Sequence, residues 1–91
     1  MSTFGIEPPS DWIEYDAAAI GAGIDLETAS PIQGPAKIIR VITAGAGGLD
    51  VKVAGSDGVT RSLTVADNEE VLGLFTAIVS TSTATRIRVG F

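Results

Sequence analysis

The feature that most constrains this chain is a two-residue apolar alternation that starts at Lys37 and is cut every few residues by a turn signal. Side chains on a strand point alternately to opposite faces, whereas a helix would need spacings of three and four. Lys37–Thr43 (KIIRVIT) reads as a strongly apolar strand. Leu49, Val51 and Val53 point one way, and Asp50 and Lys52 the other. Val59, Arg61, Leu63 and Val65 then alternate with Thr60, Ser62 and Thr64. Glu69–Phe75 and Thr76–Ser80 read as one long strand or as two broken near Gly73. In Thr85–Phe91, Ile87, Val89 and Phe91 share one face, while Arg86 and Arg88 share the other. The breaks between runs are turn chemistry: Gly45–Gly48, Gly55-Ser56-Asp57-Gly58 with Asp-Gly as a hairpin signal, Asp67-Asn68 and Ser80–Thr83. Short strands at this spacing predict an all-β fold, a small antiparallel β-sandwich or barrel of five to seven strands.

Upstream of this region the pattern is lost. Residues 1–35 are expected to form an extended acidic arm and residues 36–91 the β domain. Pro8-Pro9 favours extended backbone. Ser10 is placed to cap a brief helical turn through Ala19, and a short strand over the same residues fits as well. Ile24 and Leu26 suit a short edge strand, with Pro31 and Pro35 leading into the domain. Trp12 and Tyr15 are the only Trp and Tyr in the chain. They either anchor the arm on a partner or cover the domain's own core.

Charge is split between these parts. Residues 1–36 carry six acids and no base, whereas residues 37–91 carry all six bases and five acids. The arm is either solvated or laid along a basic strip of a neighbouring subunit. Arg86 and Arg88, with Arg40 and Lys52 expected nearby, form that strip or else a solvated face. A chain of net charge −5 lacks the basic surface that phosphate contact needs, so nucleic acid is not an expected partner. The stretch Val71–Val79 is far too short for a bilayer-spanning helix, and no secretory leader is legible.

A domain this small buries little core, and small domains commonly add disulfides, metals or partners. The chain has no Cys and no His, which removes disulfides and ordinary zinc sites. Good packing or oligomerisation is left to supply stability. The same absence removes Ser-His and Cys-His nucleophile pairs. Gly45-Ala46-Gly47-Gly48 leads into a strand rather than a helix, so it reads as a turn and not a phosphate loop. Gly55–Gly58 lacks the ligand count of a calcium loop. Glu69 and Glu70 are adjacent, so on a strand they point apart and cannot form an acid/base pair. No enzyme activity, cofactor or metal is expected.

From Asp25 to Phe91 the order of features resembles a family of small tailed-phage and gene-transfer-agent head proteins, of the spike-base or capsid-decoration type. The residues that carry the likeness are the lead-in Asp25-Leu26-Glu27-Thr28, Pro35-Ala36-Lys37-Ile38-Ile39-Arg40-Val41 and the turn Thr43-Ala44-Gly45. The Leu49–Val53 strand, the Asp57-Gly58 hairpin and the close Ser80-Thr81-Ser82-Thr83-Ala84-Thr85-Arg86-Ile87-Arg88-Val89-Gly90-Phe91 complete it. The chain departs from the family pattern at Asp67-Asn68-Glu69-Glu70, where a glycine-proline turn is usual, and at Thr81-Ser82-Thr83-Ala84, which lacks the usual glycine.

The resemblance implies a virion structural protein, a capsid decoration (cement) or head-vertex spike-base subunit on the capsid exterior, assembled in the host cytoplasm. Its implied partners are the major capsid protein and identical subunits, as a homo-trimer or homo-pentamer. The expected interface residues are Trp12, Tyr15, Arg40, Arg86 and Arg88. The alternative is a non-catalytic β-sandwich module that binds a host glycan or protein receptor.

Overall fold

Strands dominate the computed structural model, which describes residues 11–29, 35–55 and 58–91. The elements in chain order are β1 (Trp12–Asp16), α1 (Ala17–Ala22), β2 (Ile24–Asp25), β3 (Ala36–Thr43), β4 (Gly48–Val53), β5 (Thr60–Thr64), β6 (Glu70–Ile78) and β7 (Arg86–Gly90). Among the described residues the seven strands form one open antiparallel sheet. Its order is β1-β7-β3-β6-β4-β5, with β2 also on β6. The expected all-β antiparallel class therefore holds.

The long strand β6 organises the fold. Its first half pairs with β3 (Arg40↔Glu70, Ile39↔Val71, Ile38↔Leu72). Its second half pairs with β4 (Val53↔Phe75, Lys52↔Ala77, Val51↔Ile78) and, on the other side, with β2. Sequence left open whether Gly73 breaks this run, and the strand continues through it. A Cβ at residue 73 would stand 3.0 Å from the Phe75 ring, so glycine leaves room for the aromatic to fold back across the strand.

Inward-facing side chains of β3 and β7 (Ile39, Val41, Ile87, Val89) share one buried cluster with Leu49 and Val51 of β4. A flat sheet could not bring them together under a six-residue helix. The two halves must curl towards each other along β6, with the core between them. Phe75 and Phe91 fill its centre at 2% and 1% exposure, as their alternation predicts.

The connection from β6 to β7 is tied down by the hydroxyls that the sequence concentrates there. Thr83 Oγ1 accepts the Gly48 N–H at 2.9 Å, and the Thr83 N–H donates to the Gly48 carbonyl at 2.9 Å. Ser82 Oγ accepts the Asp50 N–H at 2.9 Å and donates back to the Asp50 carbonyl at 3.0 Å. Thr81 donates to the Asp50 carboxylate. These bonds satisfy the N–H groups of Gly48 and Asp50 in β4, whose carbonyls also accept from the Ala84 and Val79 N–H groups. Gly45–Gly48 is the expected turn. Gly45 has φ +58°, and a Cβ there would lie 2.5 Å from the Thr83 carbonyl oxygen. The Asp67-Asn68 turn also forms: Asn68 sits at φ 65°, and Asp67 Oδ1 accepts the Ala44 N–H at 2.7 Å.

The expected arm departs from this picture in its described part. Residues 12–16 are a strand paired along all of β7 (Trp12↔Gly90 to Asp16↔Arg86), so of the two local structures left open there, the strand forms. The helix starts later, capped by Asp16, whose side chain accepts the Ala19 N–H at 3.0 Å. Ile24–Asp25 is the expected short strand, and the Leu26 N–H donates to the Thr76 carbonyl at 3.0 Å. Ile20 and Leu26 are in the core at 1% and 0% exposure. A boundary at residue 35 therefore cuts through one folded unit. The local apolar density of residues 11–29 was too low to signal this, because their partners lie some fifty or more residues downstream. The expectations for Pro8-Pro9, Ser10, Pro31 and the Ser56-Asp57 hairpin tip fall outside the described residues.

Candidate functional site

Four strands, β1-β7-β3-β6, turn a common outer face away from the core. The registers fix which residues stand beside one another on it. One row reads Trp12, Gly90, Ile38, Leu72 and the next reads Glu14, Arg88, Arg40, Glu70. Directly opposed side chains on one face of an antiparallel pair lie roughly 5 Å apart at Cβ, close enough to interact.

The first row is apolar and open. Trp12 is 42% exposed and Leu72 64%, and Leu74, two residues further along β6, is 54% exposed. Leu72 and Leu74 are outward because Val71 and Phe75 take the inward positions of the same alternation. Trp12 lies across from Gly90, which offers no side chain of its own.

The second row is charged. Glu14 forms ion pairs with both Arg86 and Arg88, the latter at 3.2 Å. Hydrogen bonds from Arg88 and then Arg86 hold the Glu14 carboxyl below its ordinary pKa. Arg40 stands opposite both Arg88 and Glu70. Among the described residues, neither Arg40 nor Glu70 has an ion-pair partner within 4.0 Å. Trp12, Glu14, Arg40, Glu70 and Arg88 together line a hollow of about 390 Å³.

Four of the five expected interface residues therefore share this face: Trp12, Arg40, Arg86 and Arg88. Tyr15 does not. Three residues after Trp12 on a strand, it points inward opposite Ile87 and packs against the core. Burial, with the Asp11 charge behind it, raises the Tyr15 phenol above its ordinary pKa. Of the two alternatives weighed for the aromatics, Tyr15 covers the chain's own core and Trp12 stays outside. Lys52 is also elsewhere: it sits on β4 and lines a separate, shallow hollow of about 620 Å³ with Asp25 and Glu27. The basic strip does receive an acid from the N-terminal segment, but that acid is the chain's own Glu14.

Sequence reasoning did not offer Glu14, Ile38, Glu70, Leu72 or Leu74 as interface residues. For the β6 residues the signal was available, since Glu70, Leu72 and Leu74 stand at period two against Val71, Gly73 and Phe75. The partnership with β3 was not, because it depends on register.

Among the described residues no group of three or more Asp or Glu gathers as a metal-binding cluster. The carboxylates that sequence singled out near turns serve local structure. Asp50 is held below its ordinary pKa by hydrogen bonds from Thr81 and then Ser62, and the Glu69 side chain accepts the Ala66 N–H at 3.0 Å. No helix among the described residues is long and apolar enough to cross a membrane. Comparison with models of known families, with curated proteins and with solved structures returned no match.

Proposed function

We infer that this chain is a structural subunit that works by assembling with copies of itself on a larger particle, as a capsid decoration or head-vertex spike-base protein. The observation that carries this reading is the outer face of β1-β7-β3-β6, where Leu72, Leu74 and Trp12 lie open beside Arg40 and Glu70, which have no ion-pair partner among the described residues. Exposed apolar residues gathered with charges on one face mark an interaction surface more often than an inert one. The carboxylates of Asp50, Asp67 and Glu69 are engaged in turn bonds, which suits a subunit without catalysis. The resemblance to phage head proteins supplies the particle, and the major capsid protein as the surface to which the subunit attaches. A trimer or pentamer would match the symmetry of such sites.

Co-sedimentation with purified phage heads tests this. Stoichiometric pelleting with the heads supports a decoration role, and a chain that stays in the supernatant contradicts it. A second reading is favoured by one feature: Trp12 borders a hollow that also holds Arg40 and Glu70, an arrangement suited to stacking and hydrogen-bonding a sugar. On that reading the chain is a non-catalytic module for a host glycan, and a glycan array with reproducible hits lost in Trp12→Ala would favour it.

A further inference from the structure

We propose that the outer face binds a second copy of this chain across a twofold axis that runs parallel to the strands, between β3 and β6. This rests on the assembly reading above and names the contact that it needs.

The order of signs along the charged row selects the axis. Across β1, β7, β3 and β6 the charged row runs acid, base, base, acid (Glu14, Arg88, Arg40, Glu70). Two such faces stacked about a twofold axis through the middle of the row would set Arg88 against Arg40 and Glu14 against Glu70. Like charges would meet, at considerable cost. Moving the axis by one strand, to lie between β3 and β6, changes the outcome. Arg40 then faces Glu70 of the second copy, and Glu70 faces its Arg40. The pairing is reciprocal, as an isologous interface requires.

The same axis acts on the neighbouring row. Ile38 and Leu72 are opposed in register on β3 and β6, so Ile38 faces Leu72 of the second copy and the reverse. Leu74 extends this apolar strip along β6. The most exposed apolar side chain of the face, Leu72 at 64%, thus lies inside the contact. Glu14, Arg86 and Arg88, which already pair with one another within the chain, fall outside the overlap. The two charged groups of the row without an ion-pair partner within 4.0 Å among the described residues are the two that the second copy would satisfy.

The overlap spans two strands of each copy, so the contact by itself is modest and gains from repetition in a larger assembly. A trimer or pentamer that used it would pair into a hexamer or decamer.

Charge reversal with mixing tests the proposal, read by sedimentation velocity over a concentration series. Arg40→Glu and Glu70→Arg are both at exposed positions, and circular dichroism with urea unfolding confirms that each variant folds. Each variant alone sets like charges together and should self-associate at least about tenfold more weakly than wild type. Mixed with each other, the two are complementary at both pairs and should associate at wild-type strength. The double variant Arg40→Glu/Glu70→Arg should self-associate as wild type does. Single variants that associate as strongly as wild type, or a mixture that fails to recover, would overturn the twofold contact. If wild type is oligomeric and indifferent to all these changes, this face is wrong while the assembly reading stands. A wild type that is monomeric throughout defeats both. A wild type that becomes dimeric only after deletion of residues 1–10 would instead assign the face to the chain's own N-terminal segment.

Discussion

Replacing Leu26 by Ala and Leu72 by Ala should have opposite consequences to those that the sequence suggests. Leu26 sits in an acidic, glycine-containing stretch that offers at most a short edge strand, whereas Leu72 lies in the apolar run of β6. Yet Leu26 is 0% exposed and Leu72 is 64% exposed. A buried Leu→Ala change costs about 2–5 kcal/mol, with the higher values where the site cannot collapse. The Leu26 backbone is pinned by its N–H to the Thr76 carbonyl at 3.0 Å, so the cavity would persist and about 3 kcal/mol is expected. Total stability for a domain of this length is on the order of 5–10 kcal/mol. With a urea dependence of roughly 1–3 kcal/mol per molar, Leu26→Ala should lower the unfolding midpoint by at least about 1 M. Leu72→Ala should change stability by under about 0.5 kcal/mol. Urea unfolding followed by far-ultraviolet circular dichroism reads both. A Leu26→Ala midpoint equal to wild type, or a Leu72→Ala loss of comparable size, would refute the placement of Leu26 in the core and Leu72 outside it.

Other consequences follow from single sites. Gly45→Ala forces a side chain onto positive φ and against the Thr83 carbonyl, and should cost about 1–3 kcal/mol in the same unfolding assay. The Glu14 carboxyl is depressed by Arg88 and Arg86, so its contribution is present above the ordinary Glu pKa of 4.5 and is lost as pH falls below it. Glu14→Gln should therefore flatten the acid limb of stability against pH, and an unchanged limb would count against that pair. Tyr15 is the sole tyrosine, so phenolate absorbance should show one transition, above the ordinary 10.0 because burial disfavours the charged form. Asp11→Asn should move that transition part of the way back.

Much of the fold was legible because strands announce themselves by local alternation. The inward and outward sets of β4 and β7 follow directly from period two, and the turns at Gly45, Asp67 and Ser80 follow from residue chemistry. On β5 and the residue after it, only Leu63 and Val65 turn inward. Arg61 and Val59 remain exposed, because the strand runs out past the core it covers. Residues 12–26 were assigned to an arm apart from the β domain for a different reason. Its hydrogen bonds go to β7 and β6, and nothing within a local window reveals a partner so distant in sequence. The candidate face was half legible. Arg86 and Arg88 had to share a side, as did Glu70, Leu72 and Leu74. Their placement beside Trp12, Ile38 and Arg40 is a matter of strand order, and the two-residue period that assigned Arg88 outward also sends Tyr15 inward, away from Trp12.

The central claim is that this subunit exists to meet copies of itself, and its native mass tests that most directly. Light scattering on the purified protein, over a concentration series and at two salt concentrations, should give a defined multiple of the 9.3 kDa chain, with association weakened at the higher salt as the Arg40–Glu70 pairs are screened. A mass of one chain at every concentration and at both salts would contradict it.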